Sequence, residues 1–157
     1  MKKNSIKKLL CIVVVLVMLV AVFAACKQPT PTPEKGEKNA TLVIVDTSGK
    51  ITKITDDTNT EYVDKWLEEL NSESKITLTF VTGTYGMNIT SLNGIEVDGS
   101  SKYFAFYADD ADNVNDAWGS YEYESKKYYS CAYGQSSMPV KNNCTYILVY
   151  TEYTPQG

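Results

Sequence analysis

The chain reads as an α+β fold, one mixed or antiparallel sheet with a single amphipathic helix on one face. Three observations predict it. Apolar residues alternate at period two in short runs, as at Ile76, Leu78 and Phe80. They recur at helical spacing over one stretch, Val63, Trp66, Leu67 and Leu70. Strands and helices do not alternate, so a layered parallel sheet is not expected.

The first segment stands apart from this pattern. Lys2, Lys3, Lys7 and Lys8 precede an apolar run from Leu9 to Ala25, which ends in Ala24-Ala25-Cys26. A basic start, an apolar middle and small residues at the end form a secretory signal. With the cysteine behind two alanines, the segment resembles a bacterial lipoprotein signal. Phe23 stands where that family usually carries Leu or Val. The resemblance implies cleavage before Cys26 and a diacylglycerol on its thiol. It implies an extracytoplasmic chain held to the cell membrane by lipid. The alternative is an uncleaved anchor, for which so short a run is at the lower limit. Residues 1–25 are therefore read as signal peptide, 26–40 as tether and 41–157 as the folded domain. The tether alternates Pro and Thr between Pro29 and Pro33, which favours an extended spacer of about 3.1 Å per residue.

The elements follow in order. Residues 41–46 are apolar on both faces, which predicts a central strand. Ser48-Gly49 turns the chain into a second strand from Ile51 to Ile54. Thr58 with Glu61 three residues on has the form of a capping box before the helix. Trp66 is read as a core anchor of that helix. Ile76, Leu78 and Phe80 alternate with threonines, a half-buried strand. Asn88 to Leu92 forms the next, and Asn93-Gly94 predicts a type I′ hairpin into Ile95 and Val97. Residues 102–107 form a strand with aromatics on both faces. An acidic loop at 109–116 carries Asp109, Asp110, Asp112 and Asp116. Residues 120–124 alternate and pair with 128–131 across Ser125-Lys126. After a turn at Asn142-Asn143, residues 145–150 form another central strand, apolar on both faces.

Composition excludes several functions. The chain has no Arg and no His; all 15 basic residues are Lys, against 19 acidic ones. Four lysines leave with the signal, and the remaining 11 against 19 give a formal −8. Nucleic acid is not expected as a partner, because it is bound by clustered cations. Without His, the usual general base at neutral pH and the commonest metal ligand are missing. An enzyme is not expected. A carboxylate-based hydrolase would need two acids facing each other across about 5–9.5 Å. With Cys11 in the signal and Cys26 at the lipid site, Cys131 and Cys144 remain as a candidate disulfide. Two buried thiols are the alternative. In the acidic loop, counting from Asp110 puts Val114 and Asn115 where an EF-type calcium loop needs an oxygen ligand and Gly. That match fails, and a solvated loop is the expectation, with a looser calcium site left open.

The hairpin, the single helix, the stretch from Ile89 to Ile95, Tyr103-Phe-Ala-Phe-Tyr107 and the terminal Tyr146-Ile-Leu-Val-Tyr150 together resemble the transcobalamin-like C-terminal domain family of bacterial surface lipoproteins. Phe104 stands where that family usually has Trp, and Asn142-Asn143 replaces its Gly-Asp turn. The resemblance covers about residues 41–153 and implies a β-grasp-like fold. It also implies an exported binding module, with a corrinoid or a protein as the partner. In the cobalamin carriers this domain covers one face of the corrinoid, and a large helical domain, for which this chain is too short, supplies the rest.

Ten of the 12 tyrosines lie between Tyr103 and Tyr153. Tyrosine suits strands and also binding surfaces, where it offers large contact area at low entropy cost. Trp118, beside Gly119 in an expected loop, has less packing reason than Trp66 and is the foremost candidate ligand contact. Tyr103, Phe104, Tyr107 and Tyr121 are its candidate companions. No catalytic residue, cofactor or metal ligand is assigned. The sequence therefore points to a lipid-anchored extracytoplasmic binding module, for a corrinoid or another small ligand. The alternative is a structural or adhesive surface module contacting proteins.

Overall fold

The computed structural model describes residues 31–153. The signal segment 1–25, Cys26 and the first part of the tether lie outside them. Strand β1 (Lys38–Val45) begins inside the expected tether. Lys38 accounts for this: its Nζ donates to the carbonyls of Glu34 (3.2 Å) and Gly36 (2.8 Å), so the charge is satisfied although the side chain is buried.

β1 pairs antiparallel with β2 (Ile51–Thr58) and parallel with β9 (Thr145–Glu152). Both β1 and β9 are apolar on both faces because each lies inside a six-stranded sheet of order β2-β1-β9-β6-β8-β7. β2, at one edge, alternates exposed and half-buried residues. The remaining strands of this sheet are β6 (Lys102–Ala108), β7 (Val114–Tyr123) and β8 (Lys126–Cys131).

The helix α1 spans Val63–Ser72, and Val63, Trp66, Leu67 and Leu70 are fully buried. Its start differs from the expected capping box. Thr58 ends β2, and its hydroxyl donates to Glu69 (2.5 Å). Tyr62 takes the N-cap position with no side-chain cap. The first helical N–H groups bond to another segment instead: Val63 donates to the Met138 carbonyl and Asp64 to that of Gln135, both at 3.0 Å. The Asp64 carboxylate accepts from the N–H of Lys65 (2.8 Å). Three donors that a helix normally leaves unpaired are thereby satisfied.

The expected single sheet is two. β3 (Leu78–Gly83), β4 (Gly86–Leu92) and β5 (Ile95–Glu96) form a separate three-stranded sheet. Asn93 and Gly94 join β4 to β5 with φ of 51° and 80°, the left-handed pair the I′ turn demands. This small sheet and α1 share one face of the large sheet. Ala40, Leu42, Ile44, Phe104, Ala108, Tyr146 and Leu148 form that face and pack with Trp66, Leu70, Met87, Ile89 and Leu92. Trp66 meets Tyr146 edge to face, with ring centroids 6.0 Å apart.

The opposite face carries a smaller cluster of Val43, Val45 and Ile147 with Tyr123 and Tyr128 from the β7–β8 hairpin. β2 and β7 lie at the two ends of the strand order, yet Lys53 of β2 pairs with Glu124 at the hairpin tip (3.4 Å). Its ammonium also lies 5.8 Å from the centre of the Tyr123 ring. The large sheet therefore curls until its ends meet across this face.

Candidate functional site

A groove opens where β6 and β8 diverge. β6 pairs with β9 along its whole length, from Lys102 to Ala108, but with β8 only at Tyr107 and Ala108. Beyond Tyr107 the two strands part and leave a cavity of about 450 Å³. β6 lines one side with Tyr103, Phe104, Ala105, Phe106 and Tyr107; the other side is built from Trp118 and residues 130–135. A second hollow of about 180 Å³ shares Tyr103, Phe104 and Gln135 with it and continues to Met87, Ile89 and Gly99.

Trp118 reaches the groove through a bulge. The β7–β8 register runs Asn115↔Ser130 and then Ser120↔Tyr129, so residues 116–119 leave the ladder. Gly119 turns the chain there with φ 115°. Trp118 was expected in a loop; it stands within β7, on this bulge, with 60% of its surface exposed. Its carbonyl accepts a hydrogen bond from the Ser130 hydroxyl (3.3 Å), which ties the bulge to β8.

The fold brings together four of the five aromatics singled out from the sequence: Tyr103, Phe104, Tyr107 and Trp118. Tyr121 is not among the lining residues. It packs behind Tyr107, centroids 5.9 Å apart, and belongs to the far-face cluster. Phe104 is a floor residue, buried and edge-on to Tyr150 (6.2 Å). The wall at 130–135 escaped sequence reasoning, since Gly134-Gln135 carries only a turn signal.

None of the twelve lining residues is charged. Burial raises the Tyr107 phenol above its ordinary value, and Tyr103 and Tyr121 add to the shift. It stays a neutral donor. Burial also pushes the Cys131 thiol far up, so it offers no thiolate at neutral pH.

Cys131 and Cys144 stand as free thiols, not as the expected disulfide. Cys144 is engaged elsewhere: its thiol donates to Asp109 Oδ1 (3.0 Å). The acidic loop is likewise committed to protein partners. Lys141 Nζ bonds both Asp110 (2.9 Å) and Asp112 (2.8 Å), and Lys126 bonds Asp109 (2.6 Å). A lysine ammonium thus sits where a cation bridging Asp110 and Asp112 would stand.

No family model matches the chain, and no curated protein matches its sequence. Solved structures do match its fold. A suggested metal binding protein from Ruminococcus gnavus superposes with a TM-score of 0.54 at 17% identity, covering 74% of this chain and 99% of its own. Haptocorrin in complex with Cbi gives a TM-score of 0.51 at 11% identity, covering 79% of this chain. This chain spans 27% of haptocorrin. At such identities the likeness is one of fold: a mostly β, α+β domain shared with binding proteins.

Proposed function

We propose that this chain is a lipid-anchored, extracytoplasmic binding module without catalysis, whose ligand lies in the groove beside β6. The observation that carries the reading is the parting of β6 from β8 opposite an exposed Trp118. Apolar walls with few polar groups are the usual make-up of a ligand site. The hairpin β1–β2, the crossing helix and the parallel pair β1–β9 agree with a β-grasp-like arrangement. A corrinoid is the first ligand to test, given the resemblance to cobalamin carriers and the haptocorrin likeness. Metal binding has less support, because Lys141 already occupies the acidic loop.

Calorimetric titration of the full chain with cobalamin and a corrinoid precursor tests the ligand. The expected outcome is micromolar binding, weakened at least about tenfold in Trp118→Ala, since losing one buried aromatic contact costs on the order of 1.4 kcal/mol or more. Trp118 is exposed, so the variant keeps its melting temperature. Absence of heat removes the corrinoid and shifts weight to the structural or adhesive surface module. For the anchor, Cys26→Ser releases the chain from membranes, and persistent membrane attachment overturns that part of the reading.

A further inference from the structure

We infer that the groove accepts an extended peptide strand, which adds to the open edge of β6. The inference rests on the reading of the groove as a binding surface and names the class of partner it takes.

The alternation of an antiparallel ladder decides which main-chain groups face the groove. Tyr153 N–H bonds to the Ser101 carbonyl (2.7 Å), and Asp109 N–H to that of Thr145 (3.3 Å). Odd-numbered residues of β6 therefore turn their main-chain groups toward β9, and even-numbered ones turn theirs the other way. Of the even set, the Lys102 carbonyl accepts from Asp98 and Gly99 (3.0 and 2.9 Å), and Ala108 pairs with Tyr129 of β8. Phe106 and Phe104 lie between them; Phe106 adjoins the Tyr107–Ser130 pair where β8 joins, and Phe104 lies clear of it. The Phe104 N–H and carbonyl point into the groove, and among the described residues no strand pairs with β6 there. Unpaired edges of this kind are templates for another strand.

The walls fit such an occupant. The stretch from Tyr103 to Phe106 is about 13 Å long, enough for four residues of extended chain. Trp118, Tyr103 and Tyr107 offer contacts for alternate side chains. Charge narrows the choice: the lining is uncharged and the chain is acidic, with 19 acidic residues against 15 lysines. An apolar or β-branched segment without acidic residues is favoured. A planar ring can stack on Trp118 but leaves the Phe104 donor and acceptor unmet, whereas a strand at about 4.8 Å satisfies both.

The test is selection of a phage-displayed random heptapeptide library on the full chain in nanodiscs. Selected peptides are then resynthesised with N-methyl groups on one alternate set of amides or the other. Expected are uncharged, β-branched or aromatic sequences that bind at least tenfold less well when one set is methylated and unchanged when the other is. The Phe104 amide resonance shifts on binding, and Trp118→Ala weakens the peptide. No enrichment, or equal tolerance of both methylated sets, overturns the inference. So does concentration-dependent pairing of the chain with itself through β6, which would make a second copy the occupant. If corrinoid binds with Trp118 dependence while peptides do not, the groove stands as a ligand site and only the strand falls. If neither binds, both readings fall.

Discussion

Gly86 and Asp109 show how much single residues carry here. Gly86 has φ 96°, and a Cβ there would overlap the Ser136 side chain, whose hydroxyl accepts from the N–H of Met87 (2.8 Å). Gly86→Ala is expected to cost about 2 kcal/mol or more; a urea midpoint equal to wild type would refute this. Asp109 accepts from Cys144, from the N–H of Thr145 (2.8 Å) and from Lys126. Burial pushes its carboxyl up, but the Lys126, Cys144 and Thr145 bonds outweigh burial and hold it below the ordinary range. A depressed carboxyl stabilises the fold above its unfolded value and loses that contribution as pH falls. Stability should therefore drop below about pH 4, and less steeply in Asp109→Asn. Unfolding curves between pH 2 and 6 decide it; parallel curves for the two proteins would acquit Asp109. None of these partners was legible in the sequence, where Asp109 is one acid among several.

At the scale of elements, the helical stripe and both central strands were legible because each needs only local periodicity. Elements whose partners come from distant segments were not. The helix starts without the capping box because its first donors bond to carbonyls of residues 135 and 138. An added cap therefore has nothing left to satisfy. Tyr62→Asp should give no rise in melting temperature, although a new Asp cap ordinarily adds about 1 kcal/mol; a clear rise would show those donors free. The β7–β8 hairpin, expected across Ser125-Lys126, turns one residue earlier. Glu124 and Ser125 both take positive φ, 49° and 61°, without the Gly or Asn that signals such a turn. Glu124 is held there by the Tyr123 hydroxyl (2.7 Å) and Lys53. The hydrogen bond to that carboxylate, with burial, pushes the Tyr123 phenol up to about 12. The bulge at Trp118 left no signal beyond Gly119, so the residue was legible as a candidate while its setting was not.

For the whole molecule, the split into two sheets and the curl of the larger one were invisible to a one-dimensional pattern. Period two says which face of a strand is buried, not which sheet owns it. The groove was legible only as a cluster of aromatics, since its shape follows from where β8 leaves β6. The central pairing of β1 with β9 has a further effect. These are the first and last strands among the described residues, and together they supply five of the seven residues named above on the main core's large-sheet face. Deleting residues 145–157 should abolish cooperative unfolding altogether. Refolding of the intact chain should be slow, in the millisecond-to-second range of folds dominated by distant contacts. A cooperative melt of the shortened chain, or microsecond refolding, would contradict this. The same pairing sets the mechanics. A pull applied through the residues before Lys38 runs along the axis of β1, which is flanked by ladders on both sides. The load reaches those hydrogen bonds together, in shear, and does not peel them open one by one. A module tugged from its N-terminal end is thus gripped along its strongest direction.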